Sequence, residues 1–147
     1  MNWHILANPA RFLSFSRVLK PWLAAIAAAS IAAGLYLGLA VAPPDYQQGE
    51  SVRVMYLHVP AAWLAMGGYA GLALCSASFL VWKHPLAALA ARALAPIGAL
   101  FTAICLVTGM LWGKPTWGAY WVWDARLTSV LVLLFLYLGH MALANAY

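Results

Sequence analysis

The feature that most constrains this chain is the length of its uncharged apolar runs. Residues 21–42, 54–82, 93–111 and 127–147 contain no Asp, Glu, Lys or Arg. An α-helix of about 20 residues crosses the ~30 Å hydrocarbon core of a bilayer, and each run is close to that length or longer. A water-soluble fold would have to bury all of them at once. With only 7% charged residues, against roughly 25% in ordinary soluble domains, the chain cannot clothe such a core. The expected fold class is therefore an all-α integral membrane protein. It forms a single membrane domain over 1–147, with about four transmembrane helices at 21–42, 54–82, 93–112 and 127–147.

The breaks between runs have physical causes. Pro43 and Pro44 cannot extend a hydrogen-bond ladder, so the first span is expected to stop there. The 54–82 run is longer than one crossing needs, and Pro60 is read as the join between an interfacial part and the span. Lys83-His84-Pro85 breaks the second span, Arg92 closes a short loop, and Pro96 fits the first turn of the third span. Thr128 and Ser129 are candidate caps for the fourth. Gly34 with Gly38, and Gly67 with Gly71, have the G-x-x-x-G spacing that lets helices approach closely. Cys75 and Cys105 lie inside apolar runs, without C-x-x-C spacing, and read as small buried hydrophobes. The first apolar run is too long for a signal-peptide core.

Orientation follows from Lys and Arg. Residues 1–20 and 83–92 together carry five, and the intervening segments 43–53 and 113–126 carry three. The larger count marks the cytoplasmic side. Both termini are expected there, with 43–58 and the segment after the third span outside. The net charge of +5 includes no basic run, so it is a topology signal and nucleic-acid binding is excluded.

The outer segment Trp112–Thr128 holds four of the eight tryptophans. Indoles prefer interfaces, or sites for flat ligands with an apolar face and a polar edge. Trp3, Trp22, Trp63 and Trp82 read as interfacial anchors. The density of Trp112, Trp117, Tyr120, Trp121 and Trp123 exceeds what anchoring needs. If 117–124 is helical, Trp117, Tyr120, Trp121 and Asp124 share a face; if it is extended, Trp117, Ala119, Trp121 and Trp123 do. Either gives an aromatic shelf, and Gly113, Pro115 and Gly118 let the backbone turn beneath a ligand. Two roles stay open for the charges: Asp124 pairs with Arg126, or Lys114 and Arg126 meet ligand carboxylates.

His58 is expected at the outer end of the second span, on the side of the tryptophans. A lone interfacial histidine usually satisfies a neighbouring backbone group, but a neutral imidazole is also the usual protein ligand to haem iron. His84 belongs to the opposite loop. His140, inside the fourth run, reads as a buried helix-to-helix hydrogen bond, with a second-ligand role disfavoured by its depth. There is no Ser/His/Asp set, paired carboxylates or phosphate loop, so an enzyme is not expected. Three acids are too few to support a proton relay across the membrane.

The segment Trp112-Gly-Lys-Pro-Thr-Trp117-Gly-Ala-Tyr-Trp121-Val-Trp123-Asp124-Ala-Arg126-Leu-Thr-Ser resembles the "WWD" motif of the cytochrome c maturation haem-handling family, and is closest to its CcmC branch. Pro43-Pro44-Asp45-Tyr-Gln-Gln-Gly49, Tyr56-Leu-His58-Val-Pro-Ala-Ala62 and Ala95-Pro-Ile-Gly-Ala99 are similar as well, so the resemblance covers nearly the whole chain. It implies a haem-binding subunit of the bacterial inner (plasma) membrane that presents haem b on its periplasmic face and passes it to the haem chaperone CcmE. The implied partners are the small subunit CcmD, the ABC transporter subunits CcmA and CcmB, and membrane lipid. Trp112, Trp117, Tyr120, Trp121, Trp123, Asp124 and Arg126 would form the haem platform, with His58 as an axial metal ligand. The family's six spans include a second outer-face histidine after the fourth, so a chain ending at Tyr147 is expected to be truncated relative to the family. The competing function is a transporter or channel subunit whose tryptophans form an ordinary interfacial belt.

Overall fold

In a computed structural model, which describes residues 8–146, the chain is helical almost throughout. The elements are α1 (Pro9–Tyr36), continued by a π-helical turn (Leu37–Val41), a 3-10 turn (Glu50–Val54), α2 (Met55–Trp82), α3 (Pro85–Trp117) and α4 (Ala125–Ala146). Four helical stretches, Ala10–Val41, Glu50–Trp82, Pro85–Trp117 and Ala125–Ala146, are long and apolar enough to cross a membrane. The chain is thus an all-α membrane protein, as its apolar runs require. Trp3 lies outside the described residues.

Helix boundaries differ from those expected at Pro21, Pro60, Arg92 and Pro96, all of which lie inside helices. Helix α1 starts at Pro9, where the Asn8 side chain caps it by accepting from the Ala10 amide at 3.0 Å, and it runs on through Pro21. Arg11, Arg17 and Lys20 therefore ride on a helix rather than on a leading coil. Helix α2 runs through Pro60 without a join, and its 3-10 lead-in begins at Glu50. The α2–α3 connection is only Lys83 and His84. Lys83 is left-handed (φ 52°), and His84 is extended, as a residue before proline must be. Pro85 then opens α3 at a position where its missing N–H costs nothing. Arg92 and Pro96 both lie within α3, so Arg92 closes no loop and Pro96 is not in the helix's first turn, which Pro85 occupies.

The prolines at 43 and 44 do end the first helix. They also leave Leu39 without either an i+4 or an i+5 amide, and its carbonyl accepts from the Arg53 guanidinium instead, while Arg53 pairs with Glu50. This corner is where α1 meets the rest of the chain. Gly38 is buried there, and a Cβ on it would come within 3.0 Å of Tyr56 Cβ. Below the corner, an apolar recess of about 710 Å³ separates α1 from α2 and α3.

Helices α2, α3 and α4 pack through one node. Tyr137 of α4 is fully buried, and its hydroxyl donates to the Ala65 carbonyl of α2 at 2.8 Å. Its ring meets Tyr69 edge-on at 5.5 Å. Gly68 and Gly98 make room: a Cβ on Gly68 would lie 2.9 Å from the Tyr137 oxygen, and one on Gly98 would run into the ring itself. Of the spaced glycine pairs, Gly38 makes the close approach expected, against Tyr56, whereas Gly71 touches only the Leu94 side chain and a Cβ on Gly34 or Gly67 would meet nothing within 4 Å among the described residues. At the Tyr137 node the close approaches are made by Gly98 and by Gly68, one residue from the expected Gly67.

Candidate functional site

The tryptophan-rich stretch is not one loop. Helix α3 continues through Gly113 and Pro115 to Trp117, so its first part is helical and only 118–124 is irregular. Gly118, at φ 77°, ends the helix in a left-handed cap, with its amide donating to the Lys114 carbonyl at 3.0 Å. Neither the all-helical nor the all-extended arrangement of 117–124 holds. The tryptophans instead form two edge-to-face pairs, Trp112–Trp117 at 5.0 Å and Trp121–Trp123 at 5.2 Å.

Gly113 explains how the first pair is seated. A Cβ there would meet Trp117 Cε3 at 3.2 Å and the Ala119 carbonyl at 3.4 Å, so glycine lets the ring and the returning loop lie this close to the helix, where a side chain would push the Trp117 ring outward. Trp112 Nε1 donates to Gln48 Oε1 at 2.9 Å, tying α3 to the 43–49 turn. That turn is set by Asp45, whose Oδ1 accepts from the Gln47 and Gln48 amides at 2.9 and 2.8 Å. Trp123 is 76% exposed, whereas Trp121 Nε1 is sealed from solvent with no hydrogen-bond partner among the described residues.

The charges take definite places. Arg126 donates twice to Asp124 Oδ2, at 2.8 and 3.0 Å, and its guanidinium stacks over the Trp117 ring at 4.6 Å. Lys114 Nζ donates to the Gly118 carbonyl at 2.9 Å and lies over Tyr120 at 5.3 Å. Asp124 Oδ1 accepts from the Leu127 amide at 2.9 Å, so Asp124 caps α4, not Thr128 or Ser129. That amide bond, then the Arg126 hydrogen bonds, holds the Asp124 carboxyl below its ordinary range.

His58, in the first turn of α2, points at α3. Its Nδ1 is 3.1 Å from the Cys105 carbonyl oxygen and 3.1 Å from Thr108 Oγ1. A Cβ on Gly109 would come within 3.1 Å of His58 Cε1. Gly109 and Gly113 are four residues apart, on one face of α3 about one 5.4 Å turn apart. The imidazole rests on the first glycine and the Trp117 ring on the second. The histidine and the aromatic segment thus share one end and one face of α3. His140 does not join them. It lies about 24 Å along α4 from Asp124 at 1.5 Å per residue. It lines a recess of about 260 Å³ with Arg92 and Asn145. Its Nε2 is sealed without a partner, so the expected helix-to-helix hydrogen bond is not made. Cys105 is buried and Cys75 half-buried, and both are free thiols. No group of three or more His, Cys, Asp or Glu is placed to hold a metal among the described residues.

Sequence reasoning missed Gln48, Thr108 and Gly109. A threonine or glycine in an apolar helix carries no mark of its neighbour across the interface. Only the i, i+4 pairing of Gly109 with Gly113 was visible in principle.

Fold and site together define a multi-pass α-helical membrane protein that gathers aromatic rings, a histidine and two cations at one end of its helix bundle. The sequence profile of the CcmC family, described as heme exporter protein C, matches residues 2–147. Heme exporter protein C of Bradyrhizobium diazoefficiens is 56% identical over 96% of this chain and 53% of its own length. That of Escherichia coli K12 is 54% identical over 98% of this chain and 59% of its own length, and that of Paracoccus denitrificans 46% identical over 95% and 58%. The chain belongs to the CcmC family. It spans little more than half the length of these curated relatives.

Proposed function

We propose that this chain is a haem-binding membrane subunit of cytochrome c assembly that presents haem b at its outer, tryptophan-rich end for transfer to a haem chaperone. The observation that carries the reading is the placement of His58 and Trp117 one helical turn apart on the glycine face of α3. Haem is cargo here, and the residues suit it. His58 offers a ring nitrogen that no other group uses. The paired indoles offer flat apolar surface, and the buried Trp121 N–H lacks an acceptor that a propionate could supply. Arg126 and Lys114 bring positive charge to the same rim.

No bond-making role is assigned. The chain's residues bind and orient: His58 takes the iron, the tryptophans exclude water, and Arg126 holds the carboxylate edge. The relatives' shared name, heme exporter protein C, supports haem as the cargo. The proposed partners are CcmE as acceptor, CcmD as companion subunit and CcmA with CcmB as the transporter pair, in a bacterial inner membrane with the N-terminus cytoplasmic and 118–124 periplasmic.

The test is a haem titration of the purified chain, followed by absorption and EPR spectra. One imidazole at the outer end gives a haem that is five-coordinate or completed by water or another chain. His58→Ala should abolish the signal, His140→Ala should leave it unchanged, and replacing any two of Trp117, Trp121 and Trp123 with Ala should weaken haem retention without affecting insertion. Normal haem binding by the tryptophan variants would return the segment to an interfacial belt.

A further inference from the structure

We infer that Thr108 is a positioning residue: with the Cys105 carbonyl it fixes the His58 proton on Nδ1, so that the Nε2 lone pair is left free for iron. The inference rests on the proposed role of His58 and adds how the imidazole is prepared for it. The argument is a proton count around one ring nitrogen. Two oxygens face His58 Nδ1, each at 3.1 Å, the Cys105 carbonyl and Thr108 Oγ1, and the Cys105 sulfur, a weak donor, lies beyond them at 4.0 Å. The carbonyl can only accept. The Thr108 hydroxyl has its own carbonyl acceptors on α3, Ile104 at 2.7 Å and Cys105 at 3.2 Å. The shorter of these is the better home for its hydrogen, which turns an oxygen lone pair toward the imidazole. Both oxygens then ask Nδ1 for a proton. The opposite tautomer would set the bare Nδ1 against the Cys105 carbonyl oxygen, two acceptors in contact.

The same contact fixes the ring's position. Gly109 follows Thr108, and a Cβ there would come within 3.1 Å of His58 Cε1 and 3.6 Å of Nδ1. The Cε1–Nδ1 edge of the ring thus lies against the bare backbone of α3, held at Nδ1 by an oxygen pair one helical turn below Trp112. Nε2, across the ring, makes no hydrogen bond among the described residues and is not sealed from solvent by them. A histidine whose tautomer is set before the ligand arrives loses no binding free energy to proton rearrangement, and an anchored Nδ1–H raises the basicity of the ligating nitrogen.

The experiment needs no haem for its first arm. Nitrogen NMR of ring-labelled histidine is recorded on the full chain in a membrane mimetic at about pH 8, where a free imidazole is neutral. The His58 signals are assigned by their loss in His58→Ala. The expected result is a protonated Nδ1 and a bare Nε2. Thr108→Val leaves the Cys105 carbonyl as the one oxygen on Nδ1, so the other tautomer should appear as a minor form beside Nδ1–H, and Thr108→Ser, which keeps the hydroxyl, should restore the wild-type pattern. In the second arm, haem titrated into Thr108→Val should bind about tenfold more weakly, the low end of the range for losing such a partner because the Cys105 carbonyl remains. Gly109→Ala should displace the ring and change both readouts. An Nε2–H ring in the wild-type chain would overturn the inference, as would a Thr108→Val spectrum and affinity indistinguishable from wild type. An Nδ1–H ring combined with haem binding indifferent to His58→Ala would leave the tautomer lock standing and overturn the ligand reading, so the two failures are distinguishable.

Discussion

Gly98→Ala is the smallest change that should unseat the three-helix node. The added methyl would occupy space already filled by the Tyr137 ring, and Tyr137 has nowhere to retreat because it is fully buried between α2 and α3. Overpacking of this kind costs about 1–3 kcal/mol, or roughly a 5- to 150-fold loss in the folded-to-unfolded ratio. Removing only the hydroxyl, by Tyr137→Phe, should cost far less. It deletes one interhelical hydrogen bond, about 0.6 kcal/mol on average inside a membrane. It strands no group, since Ala65 lies mid-helix and its carbonyl keeps an i+4 amide. The double variant Gly98→Ala/Tyr137→Leu frees the contested space, so its cost should fall below the sum of the two single changes. Reversible unfolding in mixed micelles, followed by helical signal against denaturing detergent, measures all four. A neutral Gly98→Ala beside a costly Tyr137→Phe would refute steric control of the node, and strict additivity in the double variant would refute the contact itself.

Two further outcomes are expected. In a chain freed of Cys75 and Cys105, an impermeant thiol reagent applied outside should label Gln48→Cys and Thr116→Cys but not His84→Cys; the reverse pattern would invert the proposed orientation. Asp124 gives a pH signature. Because its carboxyl is held below the ordinary carboxylate value by the Leu127 amide and then by Arg126, the cap on α4 is complete above that ordinary value and is lost as pH falls through the lower, folded one. Amide exchange at Leu127 and Thr128, corrected for its intrinsic pH dependence, should rise in strong acid in the wild type and already be raised at neutral pH in Asp124→Ala. Wild-type exchange that stays flat into strong acid would sink the capping role.

Much of the fold was legible because the bilayer imposes it. Long uncharged runs have one way to satisfy their backbone in lipid, so helix number followed from apolar length alone. Boundaries were less legible. Pro21, Pro60 and Pro115 each sit inside a helix, where flanking turns tolerate one lost bond, and Arg92 shows that a single cation within an apolar helix marks no loop. At the candidate site, the residue types could be read from sequence but their pairing could not. That Trp112 reaches Gln48, that Trp117 folds back on Gly113, and that His58 lies on Gly109 are facts of interhelical contact. The Asp124–Arg126 pair was one of two open readings, and the stack of Arg126 on Trp117 was not foreseen.

The left-handed Lys83 shows two demands meeting at one position. It is the only non-glycine residue with positive φ among those described, and it forms the whole of the α2–α3 turn with His84. Glycine would adopt that conformation without the roughly 1 kcal/mol or more that a side chain adds. Yet glycine would also delete a cation from the side proposed to be cytoplasmic, beside a hairpin with little other polar sequence. A chain optimised only for the folded state would carry glycine there. One that must also be threaded into the bilayer the right way round gains from lysine, whose charge acts during insertion, before the turn it strains has formed.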